Sequence, residues 1–172
     1  MQRELRLSGS GGQGLILAGM ILAEAAVIDG KKAIQSQSYG PEARGGASKA
    51  EVIISDDEID FIKVQKCEML LCLTQDAYDK YGKEFTKVLI VDENLQLKYK
   101  EPEKVLRLPI LDTASNKLGK SMVANIVALG AINGLLNLVS KESLQGAVLD
   151  RVPRGTEDLN KQALESGYGL VS

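Results

Sequence analysis

The residues best suited to chemistry follow the first alternating stretch of the chain: Gly9-Ser10-Gly11-Gly12-Gln13-Gly14. Their G-x-G-x-x-G spacing, between an expected strand and an expected helix, is the pattern of a phosphate cradle. In such a loop Gly9 permits the tight turn, Gly11 lets a phosphate approach the backbone, and Gly14 lets the helix pack close to the strand. The free N–H groups at the start of the helix favour an anion. No Gly-Lys-Ser/Thr follows, so this is not a P-loop for nucleoside triphosphates. A glycine-rich turn that binds nothing has the same spacing, and that alternative stays open.

A second polar loop reads Gln35-Ser36-Gln37-Ser38-Tyr39-Gly40-Pro41-Glu42-Ala43-Arg44-Gly45-Gly46. Polar side chains fill a strand end that is ordinarily apolar. Arg44 beside Gly45 and Gly46 suits an oxyanion or phosphate. An exposed hairpin turn with a solvated Arg44 is the other reading. A bound NAD calls for an acid at the end of the second strand, to hold the ribose. None occurs there before Glu42. NADP could use Arg44, so a free-standing NAD(P)-binding oxidoreductase of Rossmann type ranks second.

The chain contains no histidine, which removes the commonest general base and metal ligand. Its two cysteines, Cys67 and Cys72, lie in an apolar run. On a strand, their spacing puts them on opposite faces, as buried reduced thiols rather than a disulfide or cluster site. Such thiols suit the cytoplasm. The net charge of -2 and the 4% aromatic content give no argument for nucleic acid or an anionic membrane. The N-terminus has no signal-peptide pattern. The longest apolar stretch, 122–139, carries Asn125, Asn133 and Asn137, which makes a poor membrane span and a reasonable buried helix.

The elements that must position the two loops follow from periodicity. Strands are expected over 3–8, 32–38, 48–55, 69–74, 87–91 and 104–108, and helices over 15–29, 75–81, 113–118, 120–138 and 157–165, the last ended by Gly167. Ser140 can N-cap a further helix. Residues 56–66 have a weak helical pattern. The connection from the second strand to the third is too short for a crossover helix, so these two form an antiparallel hairpin. Alternating strands and apolar helices imply a three-layer α/β/α domain with a mostly parallel sheet and a Rossmann-like glycine loop. At 172 residues, one domain spans the chain.

Together the two loops resemble the pyruvate/ketoacid ferredoxin oxidoreductase gamma family. The matching residues are Gly9–Gly14 after a strand, Leu22-Ala23-Glu24-Ala25-Ala26, and Tyr39-Gly40-Pro41-Glu42-Ala43-Arg44-Gly45-Gly46-Ala47-Ser48 leading into Val52-Ile53-Ile54-Ser55. Asn125-Ile126-Val127-Ala128-Leu129-Gly130 and the Asn160, Ala163, Gly167 spacing extend the likeness over essentially the whole chain. The resemblance implies a subunit of an enzyme that converts a 2-oxoacid and CoA to acyl-CoA and carbon dioxide and reduces ferredoxin. The Gln-Ser-Gln-Ser-Tyr segment looks most like 2-oxoglutarate enzymes, with pyruvate as the other familiar substrate.

By the same resemblance, thiamine diphosphate, magnesium and iron–sulfur clusters belong to partner chains. Those partners are alpha and beta subunits, with a ferredoxin-like delta subunit as a further candidate. The gamma chain helps hold CoA and closes the active site. CoA-binding candidates are Gly9, Ser10, Gly11, Gly12, Gln13, Gly14, Ser38, Tyr39, Gly40, Arg44, Gly45 and Gly46; no catalytic or metal-ligating residue is assigned. A purely structural subunit is the remaining alternative. The apolar helices are expected to supply a subunit interface, through Ile16, Met20, Ala23 and Val27 or through Ile126, Ile132 and Leu136.

Overall fold

The computed structural model describes residues 1–38, 47–98 and 105–172. Six strands form one sheet: β1 (Gln2–Ser10), β2 (Lys32–Gln37), β3 (Ala47–Ser55), β4 (Met69–Cys72), β5 (Val88–Asp92) and β6 (Val105–Leu108). Their order is β2-β3-β1-β4-β5-β6. β1, β4, β5 and β6 pair in parallel. The expected β2–β3 hairpin forms, and β3 also lies antiparallel to β1. So β3 alone runs against the rest, wedged between two strands of the same direction.

Side-chain alternation on β1 sorts the two faces. Leu5 and Leu7 point into the main core with Val52, Ile54, Met69, Leu71 and Ile90. That face is covered by α1 (Leu15–Ile28), α4 (Ala124–Leu136), α5 (Lys141–Arg151) and α6 (Glu157–Val171). Among the described residues, the other face carries one seven-residue helix, α2 (Gln75–Tyr81), over Leu70, Cys72, Leu89 and Val91. A short helix, α3 (Ile110–Asp112), follows β6 and continues into a π-helical turn at Thr113–Lys117. Helices therefore lie on both faces, unequally.

α1 is apolar nearly all round because sheet, α5 and α4 enclose it, burying Leu15, Ala18, Ile21, Leu22, Ala25 and Ala26. It ends where Gly30 takes a φ of 82°. α4 is shorter than the expected 120–138 helix. Ser121–Val123 form a 3-10 turn before it, and Asn137, at φ 50°, stops it. Ile126 and Ile132 are buried within the chain itself, so they are core residues and not an interface. Ile16, Met20 and Ala23 are half-buried, and Val27 is exposed.

Gly167 does not end the last helix. α6 runs on to Val171, because Gly167 is where α6 meets α4: a Cβ there would lie 2.1 Å from the Val127 carbonyl oxygen. Residues 56–66 form an irregular segment rather than a helix. Cys67 precedes β4 rather than lying in it, so strand alternation does not apply to it. Both free thiols instead pack in the small core beneath α2, and burial pushes each up to about 12.

Candidate functional site

β1 carries the chain to the edge of the sheet where the parallel strands end. Gly9 is still within β1, opposite Ser48. Gly11–Gln13 then make one 3-10 turn, and Gly14, at φ 71°, starts α1. Gln13 folds back so that the Ser10 N–H donates to its Oε1 at 2.8 Å. This accounts for Gly9: a Cβ there would lie 2.2 Å from Gln13 Oε1 and 2.8 Å from Leu15 Cδ1. The first glycine makes room for a side chain of its own loop, not for the turn.

Gly14 is fixed twice over. Its φ lies in the left-handed region that L side chains disfavour. A Cβ would also meet Asn125 Nδ2 at 2.7 Å. That Nδ2 donates to the Gly14 carbonyl at 3.1 Å, while Asn125 Oδ1 accepts from the Ile126 N–H at 2.9 Å. Asn125 thus ties the loop to the start of α4. The sequence shows Asn125 only as a polar break in an apolar run. Gly14 abuts Asn125 at the start of α4, and not the strand its spacing suggests. Gly12, in contrast, is exposed, and a Cβ on it would meet nothing within 4 Å. Gly11 is exposed as well. The amides of the first turn of α1 have no partners within the helix, and no charged residue lies in that turn.

The second loop leaves from the same edge. The Ser38 N–H donates to the Lys49 carbonyl at 3.2 Å, and Lys49 pairs with Ser8 on the far side of β3. Ser38 Oγ is buried, with no hydrogen-bond partner among the described residues. Tyr39, Gly40, Arg44, Gly45 and Gly46 lie outside the described residues. The strand re-enters at Ala47, directly opposite Ser10. The Ala47 flank of the second loop therefore sits beside the glycine loop, and the Ser38 flank lies one strand further out on the same edge. Thr74, which follows β4 and caps α2 by accepting from the Ala77 N–H at 3.2 Å, lies on the same edge.

Beside the loop is a notch of about 100 Å³, lined by Leu17, Met122, Val123, Ile126, Val152 and Leu159, with Asn125 and Asn160 on its wall. Met122 is exposed at its mouth. On the other face, the Arg6 guanidinium bonds Glu51 at 2.7 and 2.8 Å and Glu84 at 2.7 Å. Burial opposes the Arg6 charge, but Glu51 and Glu84 outweigh it and raise its pKa. Lys49, 3.9 Å from Glu51, balances the second carboxylate, and the cluster braces β1 against β3. At the carboxyl edge, the arrangement offers main-chain amides, small hydroxyl and amide side chains and an apolar notch. Those groups suit binding of an extended ligand with a phosphate end.

Residues 4–170 match the profile of the family described as pyruvate ferredoxin/flavodoxin oxidoreductase. The chain belongs to this family. It is 53% identical to the 2-oxoglutarate synthase subunit KorC of Methanocaldococcus jannaschii, covering 99% of this chain and 95% of that one. The Archaeoglobus fulgidus subunit of the same name is 38% identical, over 99% and 89% of the two chains. Among solved structures, the keto/oxoacid ferredoxin oxidoreductase gamma subunit of Geobacter sulfurreducens superimposes with a TM-score of 0.88 at 50% identity, over 99% and 97%. A 2-oxoglutarate:ferredoxin oxidoreductase chain from Magnetococcus marinus shares the fold, with a TM-score of 0.86 at 21% identity, over 99% of this chain and 31% of that one. The family and the gamma-type fold stand as the resemblance implies.

Proposed function

We propose that this chain is the gamma subunit of a 2-oxoglutarate:ferredoxin oxidoreductase and that its carboxyl-edge loops help hold CoA. One observation carries the choice of oxoacid. Within one organism, Methanocaldococcus jannaschii, the chain is 53% identical to the 2-oxoglutarate synthase subunit and 31% identical to pyruvate synthase subunit PorC. Each comparison covers nearly the full chain, so the difference is not one of coverage.

The assembled enzyme would convert 2-oxoglutarate and CoA to succinyl-CoA and carbon dioxide and pass two electrons to ferredoxin. Alpha and beta subunits, with a ferredoxin-like delta chain where present, would supply thiamine diphosphate, magnesium and the iron–sulfur clusters. The Magnetococcus marinus structure of like fold is described with 2-oxoglutarate, coenzyme A and succinyl-CoA bound. In this chain, exposed Gly11 and Gly12 would present amides to the CoA phosphates, and Arg44 would add a charge-assisted contact. Gln13 occupies the Ser10 amide, so the open donors are those further along the turn. Two unpaired cysteines fit a reducing compartment, the cytoplasm.

The test uses the assembled enzyme. Arg44→Ala should raise the CoA requirement on the order of 10–100-fold, as loss of a charge-assisted hydrogen bond would. Gly11→Val should raise it more, and the requirement for 2-oxoglutarate should change less. Normal assembly with unchanged CoA dependence in both variants would reassign these loops to contacts with the thiamine-bearing subunits. The isolated chain should reduce no viologen with any 2-oxoacid.

A further inference from the structure

Two side-chain carboxamides hold the glycine loop, one at each end, and they are used differently. Asn125, buried at the start of α4, engages both ends of its amide inside the chain. Its Nδ2 donates to the Gly14 carbonyl at 3.1 Å, and its Oδ1 accepts from the Ile126 N–H at 2.9 Å. Gln13, which is half-buried, engages one end. Its Oε1 accepts from the Ser10 N–H at 2.8 Å. Among the described residues its Nε2 has no hydrogen-bond partner, and it is not shut away from solvent. Two N–H donors are therefore left open beside the start of the turn.

Stability alone gives a weak reason for this arrangement. Fixing a glutamine side chain loses rotamer freedom, and one neutral hydrogen bond offsets little more than that loss. A second position is constrained as well. Gly9 lies within β1, paired with Ser48, where a glycine weakens the strand. Its φ is not positive, so the backbone does not call for glycine. What excludes a Cβ there is the Gln13 Oε1, at 2.2 Å, with Leu15 Cδ1 behind it at 2.8 Å. The chain thus keeps one residue bare so that another can fold back over the loop. No charged side chain lies in this turn or in the first turn of α1. An anion arriving there meets main-chain amides and the Gln13 carboxamide.

We infer that Gln13 is a ligand-binding residue whose Nε2 donates to a phosphate oxygen of CoA, and that Gly9 stays without a side chain to hold Gln13 in that position. The inference rests on the proposed binding of CoA at this edge. It adds a side-chain donor, fixed by its own loop before the ligand arrives, to the amides of Gly11 and Gly12.

The experiment uses the assembled enzyme, with the melting temperature of the isolated chain as the folding control. Gln13→Glu keeps an oxygen for the Ser10 N–H but sets a carboxylate oxygen where the donor stood. Its melt should stay near that of wild type. Its CoA requirement should rise on the order of 100-fold, with kcat at saturating CoA and the 2-oxoglutarate requirement little changed. As the pH is lowered from neutral, the new carboxyl beside the phosphate takes up a proton and becomes a donor again, so the excess requirement should shrink. Gln13→Ala should raise the requirement on the order of 10-fold, without that pH dependence. Gly9→Ala should match it, because its Cβ displaces the carboxamide, and the two together should do little more than either alone, since both remove one contact.

Wild-type CoA dependence in Gln13→Glu and Gln13→Ala, with a raised requirement in Gly11→Val, overturns the role of Gln13 and leaves the CoA reading standing. If Gly11→Val also shows wild-type CoA dependence, the CoA reading falls with it. A Gln13→Glu chain that melts like wild type but does not join its partner subunits overturns the inference too, because the loop then faces protein. If Gln13→Glu melts early, Gln13→Ala and Gly9→Ala decide, and fully additive effects on the CoA requirement overturn the inference.

Discussion

Glycines gather at two places in this chain under opposite demands. Where α4 crosses α6, a Cβ on Gly130 would lie 2.3 Å from the Leu164 carbonyl oxygen, one on Gly167 2.1 Å from that of Val127, and one on Gly134 2.7 Å from Val171 Cγ2. There the missing side chain lets two backbones touch. In the loop after β1 the demand varies from residue to residue. Gly14 is confined by its φ of 71° and by Asn125, whereas nothing approaches the Cβ position of Gly12. A glycine pressed against backbone reports on stability. A glycine in open space is free of that duty, and its substitution probes what comes to it from outside.

The largest effect should fall on the helix crossing. Gly167→Ala must push α6 off α4, because its contacts are main-chain atoms that cannot turn aside, with Ala131 N at 2.9 Å behind the Val127 oxygen. The expected cost is about 3 kcal/mol, which for a chain of this size lowers the melting temperature by about 6–12 °C. Thermal unfolding followed by circular dichroism reads it directly. A loss under about 1 kcal/mol would mean the crossing yields, and would erase the distinction between the two groups.

Gly14→Ala should come next, at about 1–2 kcal/mol, the ordinary penalty for a left-handed non-glycine residue. The Asn125 side chain can shift, so the steric share is smaller than at Gly167. Gly12→Ala should stay within about 0.5 kcal/mol of wild type. If Gly12→Ala proves as damaging as Gly14→Ala in the isolated chain, the open half of the loop has a structural duty after all. If its stability holds while the assembled enzyme needs more CoA, the loop is approached by ligand.

How much of this was legible depends on whether a residue's reason is local. α2 spans Gln75–Tyr81 as the sequence implies, because Thr74 supplies its own cap. The hairpin follows from the brevity of its connection, and the two loops share an edge because β1 and β2 run the same way. Gly167 reads as a helix stop because its actual reason, the Val127 carbonyl, is far away in the chain. Asn133 reads only as a flaw in an apolar helix. In the fold it holds the Val139 carbonyl and the Tyr168 hydroxyl, each at 3.0 Å, and its Oδ1 accepts from the Val139 N–H. Ile126 and Ile132 read as surplus apolar surface until both are found buried in the main core. At the candidate site, the G-x-G-x-x-G pattern locates the loop correctly but assigns Gly9 the wrong task, since nothing in the spacing shows Gln13 folding back.

A smaller loss than at Gly14 concerns how the packed half is fastened at its rim. Asp29, just past α1, accepts from the Ser140 N–H at 2.6 Å, from Ser140 Oγ–H at 2.9 Å and from the Ser143 hydroxyl. It sits at the start of α5, where the helix dipole favours an anion. Partial burial opposes ionisation, but the hydrogen bonds from Ser143 and Ser140 and the charge of Lys31 prevail, and hold the carboxyl below its usual 3.8. A depressed folded-state pKa contributes stability above the unfolded value and loses it as pH falls through the folded value. Asp29→Asn should therefore melt lower than wild type at pH 7, by about 2 °C for so exposed a group. The gap should close as the pH drops below 3.8, where the folded wild type also takes up the proton. The measurement is a pair of melting curves at steps from neutral pH down to strong acid. A gap that persists unchanged into strong acid would show that shape, not charge, holds α1 to α5. The rim would then belong with Gly167, among contacts that pH does not reach.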